Sequence, residues 1–169
     1  YAAYVDKLLT WEKQRSALTQ ARSLMFTVHD QTAATDSGYR SLVAPGLEVQ
    51  RAQKGAGQFN ASEILELGAK DVPSPNELLA AGDRTDPAML FTLSHGLGAP
   101  RAGWRSQEEQ RRIQGAMSFG SEGRLTAEEF ANRQFLPGGV WFMLACYGAG
   151  TPETSAYHKW LSELQTVGQ

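Results

Sequence analysis

Met89-Leu90-Phe91-Thr92-Leu93-Ser94-His95-Gly96 and its counterpart Val140-Trp141-Phe142-Met143-Leu144-Ala145-Cys146-Tyr147-Gly148 decide how this chain is read. Each begins with an apolar run that lacks polar alternation and is rich in aromatic or β-branched members. Such a run reads as a β-strand covered on both faces of a parallel sheet. Each run then delivers a reactive side chain at its carboxyl end, His95 from the first and Cys146 from the second.

Two further strands precede this pair. Leu24-Met25-Phe26-Thr27-Val28 is short, apolar and followed by His29-Asp30, and Ser62 to Leu67 alternates polar with apolar. Helical patterns lie around and between the strands. Residues 1–20 place Tyr1, Tyr4, Val5, Leu8, Trp11 and Leu18 at helical spacing. Pro45 opens and Gly55 to Gly57 closes a second helix. Ser74-Pro75 pairs an N-cap with a first-turn proline. Ser106 with Glu109, and Thr126 with Glu129, have capping-box spacing. A final helix is expected from Pro152 to Leu164. The polar stretch 31–41 reads as a loop, and 115–125, with three glycines, as a hairpin or loop. Strands alternating with helices predict an α/β fold with a largely parallel sheet and helices on both faces. In such sheets, sites gather at the carboxyl ends of the strands. His29, His95 and Cys146 all fall at such ends.

Composition narrows the function classes. At 169 residues, 41% hydrophobic and 20% charged, the chain has the make-up of one globular domain. A net charge of −2 and the absence of any long basic block argue against nucleic-acid binding. No apolar run approaches the ~20 residues that cross a bilayer. Cys146 is the only cysteine, so no intrachain disulfide forms, and a reducing, cytoplasmic setting is expected. The chain starts at Tyr1 without a signal-like stretch and reads as a piece of something longer.

The two reactive residues suggest nucleophilic catalysis. A free thiol of pKa near 8.5 is only slightly ionised at neutral pH, and a neighbouring imidazole corrects this by accepting its proton. His95 and Cys146 lie 51 positions apart, close to the ~50 of caspase-type peptidases. Backbone N–H groups of Gly96 and Cys146 are candidates for an oxyanion hole, and Gly148 and Gly150 allow a sharp turn beneath the thiol. Other candidates are weaker. No cluster has zinc-ligand spacing, so a zinc site is not expected. Ser94-His95 lacks a Gly-x-Ser-x-Gly elbow, the loop 96–103 lacks the Gly-Lys-Ser/Thr of a phosphate loop, and His158 reads as a surface or packing residue. Glu108-Glu109 and Glu128-Glu129 suit helix starts.

Ser94-His95-Gly96, Gly123-Arg124-Leu125-Thr126-Ala127-Glu128-Glu129-Phe130, Leu136-Pro137-Gly138-Gly139 and the run to Leu144-Ala145-Cys146 together resemble the CHAT domain, a caspase-like cysteine peptidase family of clan CD. The segment from Leu42 to Gln50 is loosely similar to that family's Leu-Pro-Gly-Ala-x-x-Glu stretch. The resemblance spans roughly residues 23–152. It implies a caspase-like three-layer αβα sandwich over residues 23–169, preceded by an N-terminal helix over 1–22. It also implies a His95–Cys146 dyad, proteolysis without metal or cofactor, and protein or peptide substrates. Regulation by a repeat or partner domain is implied as well. Two further strands normally follow the cysteine strand in such sheets, and little chain remains here to supply them. The family's Ser-Ala-Cys-Glu-Thr-Gly is replaced by Leu144-Ala145-Cys146-Tyr147-Gly148-Ala149-Gly150. The substrate pocket would involve His29, Asp30, Leu144 and Tyr147. Asp30, with no arginine at these places, favours cleavage after a basic or apolar residue; its bland alternative is to cap the following turn. The alternative function is a caspase-like scaffolding module without turnover.

Overall fold

The computed structural model of the chain describes residues 2–13, 20–68, 72–148 and 157–168. Its centre is a parallel four-stranded sheet of β1 (Ala21–Thr27), β2 (Ala61–Leu67), β3 (Ala88–Leu93) and β7 (Val140–Leu144), in the order β2-β1-β3-β7. Three two-residue strands, β4 (His95–Gly96), β5 (Met117–Ser118) and β6 (Arg124–Leu125), form a small antiparallel sheet beside it. The helices are α1 (Ala2–Lys13), α2 (Ala33–Gly38), α3 (Ala44–Gly55), α4 (Pro75–Gly82), α5 (Gln107–Ile113) and α6 (His158–Thr166). The expected parallel α/β architecture is therefore present, with the four sheet strands where the hydrophobic runs placed them.

Cover on the two sheet faces comes from different segments. On one face, Leu24, Phe26 and Leu90 pack with Leu78 of α4 and with Met117, Phe119, Leu125 and Leu136. Trp141 joins that layer with its ring centroid 5.3 Å from those of Phe130 and Phe135, and its Nε1 donates to Thr92 Oγ1 at 2.9 Å. On the other face, Met25, Ile64 and Phe91 pack on Tyr39, Val43 and Leu47. At the amino end of β1 the buried Arg22 donates to the carbonyls of Ala81 and Asp86 and pairs with the Asp86 carboxylate at 2.9 Å. A buried guanidinium is tolerated because each of these partners compensates its lost hydration. α1 meets the body at the 136–138 turn, where Trp11 lies against Gly138 and Lys7 Nζ donates to the Leu136 carbonyl.

The local signals performed unevenly. Ser74 and Ser106 cap α4 and α5 as expected, accepting from Glu77 N at 3.4 Å and Glu109 N at 3.0 Å. The 115–125 stretch is the β5–β6 hairpin. Thr126 and Glu129 do form a capping box, but only one 3-10 turn, Ala127–Glu129, follows it. The expected loop at 31–41 is instead helical. α2 starts at an N-cap, Thr32, and passes through a π-helical turn at Tyr39–Val43 into α3. Pro45 lacks the N–H that an uninterrupted α-helix would need, and the ladder shifts to π spacing just before it, with Ala44 N bonding to the Tyr39 carbonyl. Within the expected first and last helices, residues 1, 14–19 and 152–156 lie outside the described residues.

One strand, β7, departs from expectation. β3 is covered on both faces, but among the described residues β7 is the edge of the sheet. Val140, Phe142 and Leu144 share the face of Met89, Phe91 and Leu93 by register, yet remain 50%, 54% and 47% exposed. α3 and the π turn stop short of them. Among the described residues no helix is long and apolar enough to cross a membrane.

This packing sets a contrast that urea unfolding can read. Leu90→Ala should destabilise the fold by about 3 kcal/mol, whereas Phe142→Ser should change it by less than about 1 kcal/mol. A large loss at Phe142 would mean that the outer face of β7 is buried.

Candidate active site

Sheet register brings the site together. Thr27 pairs with Leu93, and Leu93 pairs with Leu144, so β1, β3 and β7 end at one level. Two backbone bonds continue the alignment past the strands, Val28 N to the Leu93 carbonyl at 2.9 Å and Ser94 N to the Leu144 carbonyl at 3.2 Å. β1 sends its chain to one side, to β2, and β3 lies on its other side. The carboxyl ends of β1 and β3 thus flank the point where the strand order reverses, which is where open α/β sheets form crevices. Asp30 follows β1, His95 follows β3 and Cys146 follows β7.

The segments that carry His95 and Cys146 touch at the backbone of Gly96. A Cβ built on Gly96 would lie 1.7 Å from the Cys146 carbonyl oxygen and 3.3 Å from its nitrogen. Only glycine lets β4 approach the Cys146 backbone this closely. The two N–H groups proposed from sequence for an oxyanion hole, on Gly96 and Cys146, therefore lie on touching segments. Cys146 itself is exposed and free. It opens a tight turn in which Gly148 N bonds to the Ala145 carbonyl at 3.2 Å. The next residue, Tyr147, takes the left-handed conformation with φ of 59°. A bulky residue there is uncommon, and such strain persists only where surrounding contacts enforce it. They do so here. A Cβ on Gly98 would meet the Tyr147 ring at 2.7 Å, and one on Gly115 would meet its carbonyl at 2.6 Å. Gly150 lies outside the described residues.

His95 is held from the β1 side. Its Nε2 is 2.8 Å from Thr32 Oγ1 and 3.7 Å from Asp30 Oδ2. Asp30 Oδ1 accepts from Thr35 Oγ1 at 2.7 Å, from Thr32 Oγ1 at 2.8 Å and from Thr32 N at 3.2 Å. Burial pushes the Asp30 carboxyl upward, but the hydroxyl bonds of Thr35 and Thr32, the Thr32 amide and the facing His95 outweigh it, and its pKa falls below the ordinary value. The side chain is 7% exposed. Asp30 thus makes the turn named as its bland alternative, and it also faces the histidine. It is enclosed and does not stand open as a pocket wall.

The other pocket candidates spread out. His29 packs edge-on against Tyr39, centroids 4.8 Å apart. Leu144 and Tyr147 are half-exposed near Cys146. A cleft of about 450 Å³ opens beyond them, lined by Leu97, Gly98, Trp104, Ile113 and Arg124 among others. Thr32 and Thr35 are site residues that the sequence reading missed. Their signal was available in Asp30-x-Thr32-x-x-Thr35, an Asx turn running into a threonine N-cap. Among the described residues no group of three or more His, Cys, Asp or Glu side chains is placed to hold a metal.

Comparison with models of known families, with curated proteins and with solved structures yields no match for this chain.

Two outcomes follow from the geometry. Gly96→Ala should destabilise the fold by about 2 kcal/mol, because the added methyl meets backbone rather than a movable side chain. Asp30 contributes stability that is present above its unfolded pKa and lost as pH falls through the lower folded one. The wild type should therefore lose stability between pH 5 and pH 2 more steeply than Asp30→Asn. The variant should be weaker by about 2 kcal/mol at pH 7, as judged by urea midpoints at each pH. Parallel pH profiles would contradict the assignment.

Proposed function

We propose that this chain is a caspase-like cysteine peptidase domain in which His95 and Cys146 form the dyad. The observation that carries the reading is the backbone contact of Gly96 with Cys146 at the carboxyl ends of two adjacent parallel strands. The resemblance of the surrounding motifs to the CHAT domain supports it, as does the strand order, which leaves an edge after β7. Two further strands would pair with the open edge of β7, and their cover would close the bare face of Val140, Phe142 and Leu144.

In this reading the imidazole of His95 takes the thiol proton, and Sγ attacks the substrate carbonyl carbon. The carbonyl π electrons move onto oxygen, where the N–H groups of Gly96 and Cys146 receive the charge. Collapse of the tetrahedral adduct breaks the C–N bond, and the imidazolium returns its proton to the departing amine. A thioester remains on Cys146. His95 then deprotonates a water that attacks it, and Sγ leaves as the free acid is released. The exposed Cys146 gives an extended peptide access to the nucleophile.

The bare β7 face also favours a second reading, an interaction module of the same fold without turnover. A thiol-directed peptidyl probe separates the two. Labelling of Cys146 at pH 7 should be about 100-fold slower in His95→Ala than in the wild type, and peptide hydrolysis should vanish in Cys146→Ala. Equal, slow labelling with and without His95 would select the interaction module.

A further inference from the structure

The cluster at the end of β1 has a proton count that reaches beyond the dyad. Thr32 Oγ1 has one proton and four polar neighbours, Asp30 Oδ1 at 2.8 Å, Thr35 Oγ1 at 3.0 Å, His95 Nε2 at 2.8 Å and Thr35 N, which donates to it at 3.5 Å. Thr35 Oγ1 also has one proton, and Asp30 Oδ1 is its nearest acceptor at 2.7 Å. The carboxylate is ionised and is the strongest acceptor present, so both hydroxyls donate to it. The Thr32 hydroxyl then has only lone pairs left for His95. Two short contacts of Thr32 Oγ1 are then left without a hydroxyl proton, Thr35 Oγ1 at 3.0 Å and His95 Nε2 at 2.8 Å, and of these only the ring nitrogen can supply one of its own, so Nε2 carries the proton. Asp30 Oδ2, 3.7 Å from the same nitrogen, adds its negative charge on that side.

We infer that Thr32 and Asp30 are positioning residues that select the Nε2–H tautomer of His95. The remaining basic atom of the neutral ring is Nδ1, and it is the atom that takes the proton of Cys146. This rests on the proposed peptidase reading for its purpose, though not for its geometry. Once the thiol proton has moved to Nδ1, the imidazolium keeps Nε2–H on Thr32, with the Asp30 carboxylate facing its charge. No bond to Thr32 or Asp30 has to break during that transfer. The arrangement uses a threonine hydroxyl as a relay between carboxylate and imidazole, since the carboxylate itself stays beyond hydrogen-bond reach of the ring. Thr35 fixes the carboxylate that fixes Thr32, and its side chain lies in a buried residue at the first turn of α2.

The test reads the tautomer directly. Protein labelled with ¹⁵N at histidine is examined by long-range proton–nitrogen correlation at pH 7.5, with His95→Gln supplying the assignment against His29 and His158. In the wild type, Nε2 of His95 should show the shift of a protonated ring nitrogen and Nδ1 that of a bare one. In Thr32→Val the pattern should move toward a mixture of tautomers, and Thr32→Ser should restore it. Labelling of Cys146 should fall about tenfold or more in Thr32→Val and recover within about twofold in Thr32→Ser. Asp30→Asn should also mix the tautomers; because it weakens the fold, the wild-type spectrum and the Thr32 pair decide the matter alone. A proton on Nδ1 in the wild type, or an unchanged tautomer in folded Thr32→Val, overturns the inference even if Cys146 depends on His95. The stated tautomer with Cys146 indifferent to His95→Ala would instead remove the peptidase reading and leave the positioning intact.

Discussion

The in-register pairing of β3 with β1 on one side and β7 on the other is the constraint on which the rest depends. A parallel ladder has no freedom to slip by one residue, because that would turn Leu90 and Leu24 out of the core and Phe91 and Met25 away from α3. Hydrophobic burial therefore sets the level at which the three strands end. Asp30, His95 and Cys146 inherit that level. The segments that carry them lie side by side because the apolar residues behind them cannot pack in any other register.

Beyond the strand ends, fine placement passes to residues with special backbone demands. Gly96 lets the β4 segment touch Cys146, and Gly98 and Gly115 make room for Tyr147. Tyr147 in turn accepts a left-handed conformation that would cost about 1 kcal/mol or more in isolation. The small β4–β5–β6 sheet, with Phe119 and Leu125 anchored in the core, supplies the rigid wall for these contacts. On the opposite side, the Asp30–Thr32–Thr35 knot fixes the imidazole. Strand ends of a stiff sheet and two polar or glycine-lined brackets together define one small site.

Much of this was legible in the chain. The four strands, the N-caps at Ser74 and Ser106, the hairpin at 115–125 and the positions of His95 and Cys146 all follow from hydrophobic runs and short-range capping chemistry. What escaped was less local. Residues 31–41 looked like a loop because Thr, Asp, Ser and Gly are poor helix formers, but side-chain bonds from Asp30 and Thr32 start a helix that packing of Tyr39 and Val43 sustains. Val140–Leu144 looked like an interior strand because its five residues are all apolar. Neighbours decide whether such a strand is central, and here one face and one edge have none among the described residues. The role of Asp30 was ambiguous for a related reason. Sequence showed a carboxylate at a strand end; only the fold showed that two threonine hydroxyls and His95 surround it.

Continued past the strands, the register of β3 with β7 sets residues 95 and 146 side by side. His95→Cys gives a chain with cysteines only at positions 95 and 146. Parallel neighbours about 5 Å apart can form a disulfide with little backbone movement. Mild oxidation of the dilute, folded variant, followed by digestion and mass spectrometry, should yield an intramolecular 95–146 disulfide as the main product. Recovery of free thiols and intermolecular dimers alone, from protein that remains folded, would contradict the juxtaposition on which the whole account rests.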